Sequence, residues 1–597
     1  MKRIYLIIFL SSLLLASCNE EAFLDQKPHT PTDFGFYTSE DGAIQGINAA
    51  YDILQLGEEL GRVELMGTVC SGDAMAGGEP GGGDQAALQN MMKFNVITTN
   101  DYMIKYWRAL YRGVYRCNLI LYYLADPVEN FDENLRQRLL GEATFLRGLF
   151  HFKLQTFYGG YPQLQSTFNN QLKGVPFIDH VLLQEEWNQE RPELSYTWER
   201  IEQDFAAAAD MLPASYDAAN IGRATSGAAK SMLAKTYLYQ EKWQEAYDKA
   251  KEVINSGTYY LIGEDGHNNQ LTVTRLGKDG EFETTMPGYK WIWQPEANNC
   301  AESIFDVQHY KEGTSTYPQG QEGNLLPQYY GIRAVRAMVK KGDQWVEQNV
   351  EYYWGFILPT KYFMETAFQQ AKGVEGNNIL DPRFKLSVIT ADTKVPFYYA
   401  DEEARALFPD SVYYAPYYNN PSPGNATWKY FTDPYFNEGA KSLGDRPQNQ
   451  KYFRFADLLL IGAEAAVHVG QTADATTWVN RVRNRARNAG TTGYPKDLST
   501  VTLDDIYAER RVELSFEGHQ FYDIVRTGRA QKVLKEEALQ FATTTNVFVD
   551  DEGNSTTTEV QEQYGENFVI GRNEIWPIPQ SEIDNTNGSI TQNPGYE

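Results

Sequence analysis

The chain has 597 residues and a net charge of −26, far too acidic to follow the phosphates of nucleic acid or to lie flat on anionic lipid, both of which take clustered Lys and Arg. Its four cysteines show no CxxC or zinc-like spacing, and its seven histidines form no HExxH, so neither a structural metal nor a disulfide framework is expected. No residue pattern calls for a cofactor.

Lys2 and Arg3 precede an apolar run from Ile4 to Leu15, followed by Ala16, Ser17 and Cys18. A basic start, a short apolar stretch and small residues make a secretory signal, too short for the roughly 20 residues that a membrane-spanning helix needs. Leu15-Ala16-Ser17-Cys18 looks like a bacterial lipobox, which assigns residues 1–17 to a removed signal peptide and makes Cys18 the lipid anchor. Residues 18–30 then form a lipidated tether. The Asn19-Glu20-Glu21 tract resembles the signal that sends Bacteroidetes lipoproteins to the outer face of the outer membrane.

Helical periodicity follows. A long helix is expected from Asp132 to Tyr158, with Leu135, Leu139, Ala143, Leu146 and Phe150 on one side and Gly159-Gly160 as its stop. Ala143 and Gly148 are small enough to admit a neighbouring helix. A second helix begins at Thr197, with Trp198, Ile201, Phe205, Ala208 and Leu212 on one face and Pro213 beyond it. Residues Thr225 to Gly257 read as two short helices with small residues at their crossing, a tetratricopeptide-like pair, and Phe455 to Arg487 reads as another. A lone pair cannot bury its own face, so the distant pairs are expected to join in one bundle.

Between about residues 261 and 450 the apolar periodicity is lost, except near Pro359 to Gln370, while Gly, Pro, Asn and Tyr accumulate. Aromatic richness argues against disorder. The stretch reads as an ordered, irregular layer resting on a helical scaffold of residues 31–260 and 451–597, the whole of 31–597 being one domain.

The ordered segments resemble one family. They include Phe23-Leu24-Asp25, "YWRALYRGVYRCNLIL" from Tyr106, "GEATFLRGLFHFKLQTFYGGYP" from Gly141, "GRATSGAAKSMLAKTYLYQEKWQEAYDKAKEVINSG" from Gly222 and "ESIFDVQHY" from Glu302. They continue with "LDPRF" from Leu380, "RFADLLLIGAEAA" from Arg454, "NRVRNRAR" from Asn480, "ERRVELSFEGHQFYDIVRTG" from Glu509, "WPIP" from Trp576 and a closing "QNPGY". By these segments the chain resembles the SusD/RagB-like nutrient-binding lipoproteins of Bacteroidetes over nearly its full length. The resemblance implies a mostly α fold, a tetratricopeptide-like bundle with a large loop-rich ligand layer. It implies a non-enzymatic, surface-exposed lipoprotein that delivers oligosaccharide to a SusC-like TonB-dependent transporter, touching the membrane only through its lipid. The alternative cargo is peptide, as in the RagB-like branch. It also implies that the segment after Cys70 reaches the ligand, which nominates Asp73 and, less directly, Asn100 and Asp101.

Catalysis finds no local support. No GxSxG occurs, and in Gly222 to Ser231 the lysine of a phosphate-binding loop arrives two positions late, at Lys230. A surface glycosidase, needing two suitably spaced carboxylates, is the remaining enzymatic alternative. Arg481, Arg483, Arg485, Arg487, Arg510 and Arg511 read as scaffold ion-pair partners of nearby Asp and Glu. Sugars present flat C–H faces that rigid rings cover at little entropic cost, so the loop aromatics carry the binding expectation. Trp291 and Trp293 alternate around Ile292, which predicts one face of an extended segment. Trp345, Tyr353 and Trp354 lie in a second aromatic-rich loop. The expected ligand residues are therefore Asp73, Trp291, Trp293, Trp345, Tyr353 and Trp354.

Overall fold

The computed structural model describes residues 33–77, 85–277, 280–311, 322–331, 334–341, 344–351, 353–376, 378–390, 394–396, 411–413, 426–431, 446–541, 543–549, 555–561 and 565–597. The signal peptide, Cys18 and the tether lie outside them.

Helices α1 (Glu40–Asp52), α2 (Asp101–Tyr123), α3 (Glu133–Leu154) and α4 (Leu194–Met211) open the scaffold. The side chain of Asp132 caps α3 by accepting from Leu135 N at 2.7 Å. A wide turn over Gln155–Gly159 then carries the chain to Gly160, whose φ of +83° ends the element as its sequence predicts. Gly148 admits α4: a Cβ there would sit 3.0 Å from Asp204 Cβ and 3.3 Å from the Phe205 ring. At Gly113 a Cβ would come within 2.5 Å of the Phe150 ring, so α2 and α3 also meet through a missing side chain.

The two expected helix pairs form α5 (Ser226–Leu238) with α6 (Trp243–Ile254), and α7 (Phe455–His468) with α8 (Thr472–Asn488). They pack on each other through α6 and α7, where a Cβ on Gly462 would meet Ala250 and Ile254 at 3.2 Å. Small residues at this crossing explain how pairs about 200 residues apart in sequence share one bundle. Helices α9 (Leu503–Glu513) and α10 (Gln520–Arg526) complete it. A continuous apolar core runs from α1 to Ile590. Among the described residues no helix is long and apolar enough to cross a membrane.

The loop layer is more regular than its sequence suggests. Two eight-residue ladders stand in it: β2 (Gln270–Gly277) with β3 (Gly280–Pro287), and β5 (Ala334–Lys341) with β6 (Gln344–Glu351). Strand β1 (Ala74–Ala76) pairs antiparallel with β7 (Ile357–Pro359), and β4 (Ser303–Val307) pairs with β8 (Gln450–Arg454), each stitching layer to scaffold. The helix Lys361–Gln370 stands where periodicity predicts it.

Candidate functional site: an aromatic platform over a buried ionic seam

The seam between layer and scaffold is ionic and buried. Arg383, with no exposed surface, places Nη2 2.6 Å from Asp381 and Nη1 2.6 Å from Glu509 and 3.1 Å from Glu513. Glu513 also receives Arg454 at 2.7 Å and Arg485, and both of those arginines reach Glu302. Against burial, which would raise it, Arg485, Arg454 and Arg383 hold the Glu513 carboxyl down to about 2. Arg483 pairs with Glu509, Arg481 with Glu264 and Arg487 with Asp497. Every arginine of the expected set, Arg510 and Arg511 included, has a carboxylate partner.

That arrangement corrects the expectation for Asp73. Its side chain is enclosed, and Arg511 grips it through Nη2 at 2.6 Å and Nε at 2.9 Å. Burial pushes the carboxyl up while Arg511 pulls it down. Asp73 holds the segment after Cys70 to α9 and offers no oxygen to a ligand. Asn100 is likewise structural, capping α2 through Tyr102 N at 3.0 Å.

Trp291 and Trp293 do not share a strand. Pro287 and Gly288 start a helical turn, Gly288–Trp291, and the chain keeps turning through Ile292. Residues two apart on a turn diverge. Trp293 is therefore buried at 2% exposure between the Tyr430 ring, 5.9 Å away, and the cations of Lys429 and Arg454, while Trp291 packs half-buried beside Ile262 and Ile292. Tyr353 is also enclosed: its ring fills the space beside Gly331, where a Cβ would come within 2.4 Å. Trp293 and Tyr353 are scaffold rings in this fold, contrary to expectation. Trp345 stands opposite Lys340 in the β5–β6 ladder, and its side chain lies outside the described set.

Trp354 is placed differently. Its N–H donates to Gln328 O at 2.8 Å, and Phe356 N donates to Tyr329 O at 2.7 Å, so the two segments run as a short ladder. Gly77 N, at the edge of the glycine-rich stretch, donates to Phe356 O at 2.7 Å. The Trp354 ring rests on Tyr329 at 5.5 Å and on Phe356 at 5.4 Å, and those two rings stack at 5.7 Å and 19°. Tyr329 and Phe356 are buried and Trp354 is half-buried, so the Trp354 ring rests on a fixed aromatic base with part of its surface accessible. Arg62 braces the base from below, donating to the hydroxyls of Tyr329 and Tyr102, and Tyr102 donates to Gln85 at 2.7 Å. Beside it Gln328 is fully buried, with neither amide atom partnered among the described residues.

Sequence reasoning passed over Tyr329, Phe356, Gln328 and Arg62; the Tyr329-Tyr330 pair ahead of a glycine was the available signal. Trp187 is 62% exposed after the turn Gln184–Glu186. Among the described residues no group of three or more His, Cys, Asp or Glu is arranged to hold a metal ion.

A helical-repeat scaffold carrying an aromatic-bearing loop layer is a binding architecture. Residues 301–596 match the model of the SusD family, and residues 79–238 match a second model, described as starch-binding associating with outer membrane. The chain belongs to the SusD family. A SusD-like protein of Formosa agariphila is 23% identical, with 99% of each chain covered. A solved laminarin-binding SusD-like protein is 25% identical with a TM-score of 0.67, over 93% of this chain and 99% of that one. Surface glycan-binding protein A from Bacteroides thetaiotaomicron, solved with laminarihexaose, is 21% identical with a TM-score of 0.63 at the same coverage.

Proposed function

We propose that this protein captures oligosaccharide at the cell surface and delivers it to a SusC-like TonB-dependent transporter without chemically altering it. The observation that carries the reading is the Trp354 ring, held half-open on the Tyr329–Phe356 stack within a SusD fold. A flat sugar face covers such a ring at little entropic cost. Two solved relatives named for laminarin binding or holding laminarihexaose support the same class of ligand. Cys18 would carry the lipid on the outer face of the outer membrane, and residues 18–30 would tether a body able to move over a barrel mouth.

Calorimetry and affinity electrophoresis against a panel of polysaccharides that includes laminarin, with laminarihexaose and an extended peptide as separate arms, test the reading. Saturable binding of at least one glycan, with no new reducing ends on prolonged incubation, is the expected result. Peptide binding without glycan binding would move the protein to the peptide-carrying branch, and released sugar would overturn the non-enzymatic assignment.

A further inference from the structure

Arg529, half-buried in the scaffold, has no paired carboxylate among the described residues. Arg529 follows α10, and its charged carbon lies 4.0 Å from the centroid of the Tyr507 ring on α9. Its Nε donates to Thr527 Oγ1 at 2.8 Å. Among the described residues its two terminal amino groups meet no acceptor, and no carboxylate oxygen lies within 4.0 Å of it. An enclosed charge without a partner is costly, and arginine in such a place is ordinarily matched by a carboxylate.

The neighbouring network does not provide one. Asp457, Asp523 and Glu464 are already taken by Lys235, Arg510 and Arg526, at 2.6 to 3.1 Å. Three carboxylates answer three cations there, and Arg529 stands outside those pairs. Beside it opens a pocket of about 330 Å³ that Tyr507, Arg529, Gln520 and Lys532 help to line. The Gln520 amide has no hydrogen-bond partner among the described residues, and Lys532 sits 3.5 Å from Glu537. Acidic groups share the wall, but two of them are engaged: Glu537 accepts from the Tyr362 hydroxyl at 2.8 Å, and Asp505 caps α9 through Thr502. Asp504 faces solvent.

We propose that this pocket binds one monoanionic group, a carboxylate or a sulfate, carried by a molecule of sugar size. The Arg529 fork, flattened on Tyr507, takes the two oxygens side by side, and the Gln520 amide donates to a neighbouring oxygen. A planar fork with two parallel N–H groups suits such a group, and stacking on a ring fixes its plane. Asp504, Asp505 and Glu537 along the wall repel further negative charge, which selects a single charge over a dianion such as phosphate. The site uses none of the residues of the Trp354 platform, so it stands or falls independently of glycan capture there.

The test is calorimetry on the full mature chain with four probes at constant ionic strength: D-glucuronate, the sulfate ester D-glucose 6-sulfate, D-glucose and inorganic phosphate. Saturable binding of glucuronate or the sulfate ester is expected, with no heat from glucose and weaker binding of phosphate. Preference for glucuronate assigns the site to an acidic sugar, and preference for the sulfate ester assigns it to a sulfate group. Arg529→Gln should abolish the binding, and Arg529→Lys should weaken it about tenfold, because a point charge cannot fork. Both variants should bind the neutral glycan of the platform as the parent does, which separates loss of the site from loss of the fold. No saturable signal from either anion, or binding unchanged in Arg529→Gln, overturns the proposal.

Discussion

Arg511 Nη2 lies 2.6 Å from Asp73 Oδ1, joining residues 438 positions apart inside a buried contact. The pair ties the segment that leads to β1 onto α9, and Thr366 and Gln370 complete the guanidinium's shell at 3.1 and 3.3 Å. Removing either partner leaves the other charge enclosed and unmatched. Asp73→Ala and Arg511→Ala should each destabilise the fold by about 3–5 kcal/mol, and the double variant should lose much less than the sum. Chemical denaturation measures this. A mere loss of glycan affinity in Asp73→Ala, with stability intact, would restore Asp73 to the ligand face.

Trp354 and Trp293 should separate cleanly under substitution. Trp354→Ala removes the open ring but leaves the Tyr329–Phe356 stack, so glycan affinity should fall by about 2 kcal/mol, some thirtyfold, with little change in melting temperature. Trp293→Ala empties a buried site against Tyr430 and should cost about 3–5 kcal/mol of stability instead. Titration calorimetry beside thermal melts reads both. Equal affinity loss in the two variants would contradict the division.

The scaffold was legible because its helices bury one face, and burial writes a period into the sequence: Leu139, Leu146 and Phe150 are fully buried where the spacing places them. The arginine pairing was legible for a related reason, since so many charges in apolar helices need partners. The ring orientations were not. Trp291 and Trp293 alternate in sequence, yet Pro287-Gly288 starts a turn that sends them apart, and alternation alone cannot distinguish the two geometries. Asp73 met the ligand only by family analogy, and its true partner lies too far along the chain for spacing to reveal. Tyr353 and Trp354 are adjacent and opposite in fate, because the first fills the gap beside Gly331 and the second runs in a two-stranded contact with Gln328.

Stability should depend on pH through the buried imidazoles of His151 and His309 and the largely enclosed one of His519. Burial lowers His151 to about 3 and His309 and His519 to about 4. Each stays neutral in the fold while its unfolded counterpart protonates near 6.5. The unfolded state therefore binds more protons between about pH 6.5 and 4, so stability falls as pH drops through that window, by about 1.4 kcal/mol per pH unit for each histidine. Carboxylates held low, such as Asp523 and Glu513 at about 2, add their loss only below about pH 4. Denaturation midpoints at a series of pH values should slope downward already from pH 6.5. A flat profile to pH 4 would show these rings to be solvated. His519→Gln should flatten part of the slope while leaving the acid limb unchanged.

Two glycines six residues apart should respond oppositely to alanine. At Gly67 a Cβ would stand 2.0 Å from Gly518 O and 2.8 Å from Gly518 C, and backbone cannot swing aside as a side chain can. The turn it would displace carries Glu517, whose carboxylate binds Arg454 and Lys429 at 2.7 Å. Gly67→Ala should therefore cost about 1–3 kcal/mol and loosen the seam between layer and scaffold. Gly61 has φ −55° and ψ −41°, ordinary helical backbone, and a Cβ there meets nothing nearer than Tyr329 Cε2 at 3.6 Å. Alanine at that position restricts the unfolded chain without straining the fold, and should be neutral or stabilise by about 0.4–1 kcal/mol. Because Gly61 underlies the Tyr329 ring, Gly61→Ala should also leave the Trp354 platform and its glycan affinity unchanged. Parallel denaturation curves decide it: equal destabilisation by both substitutions would mean that the close approach at Gly518 is not what fixes glycine at 67.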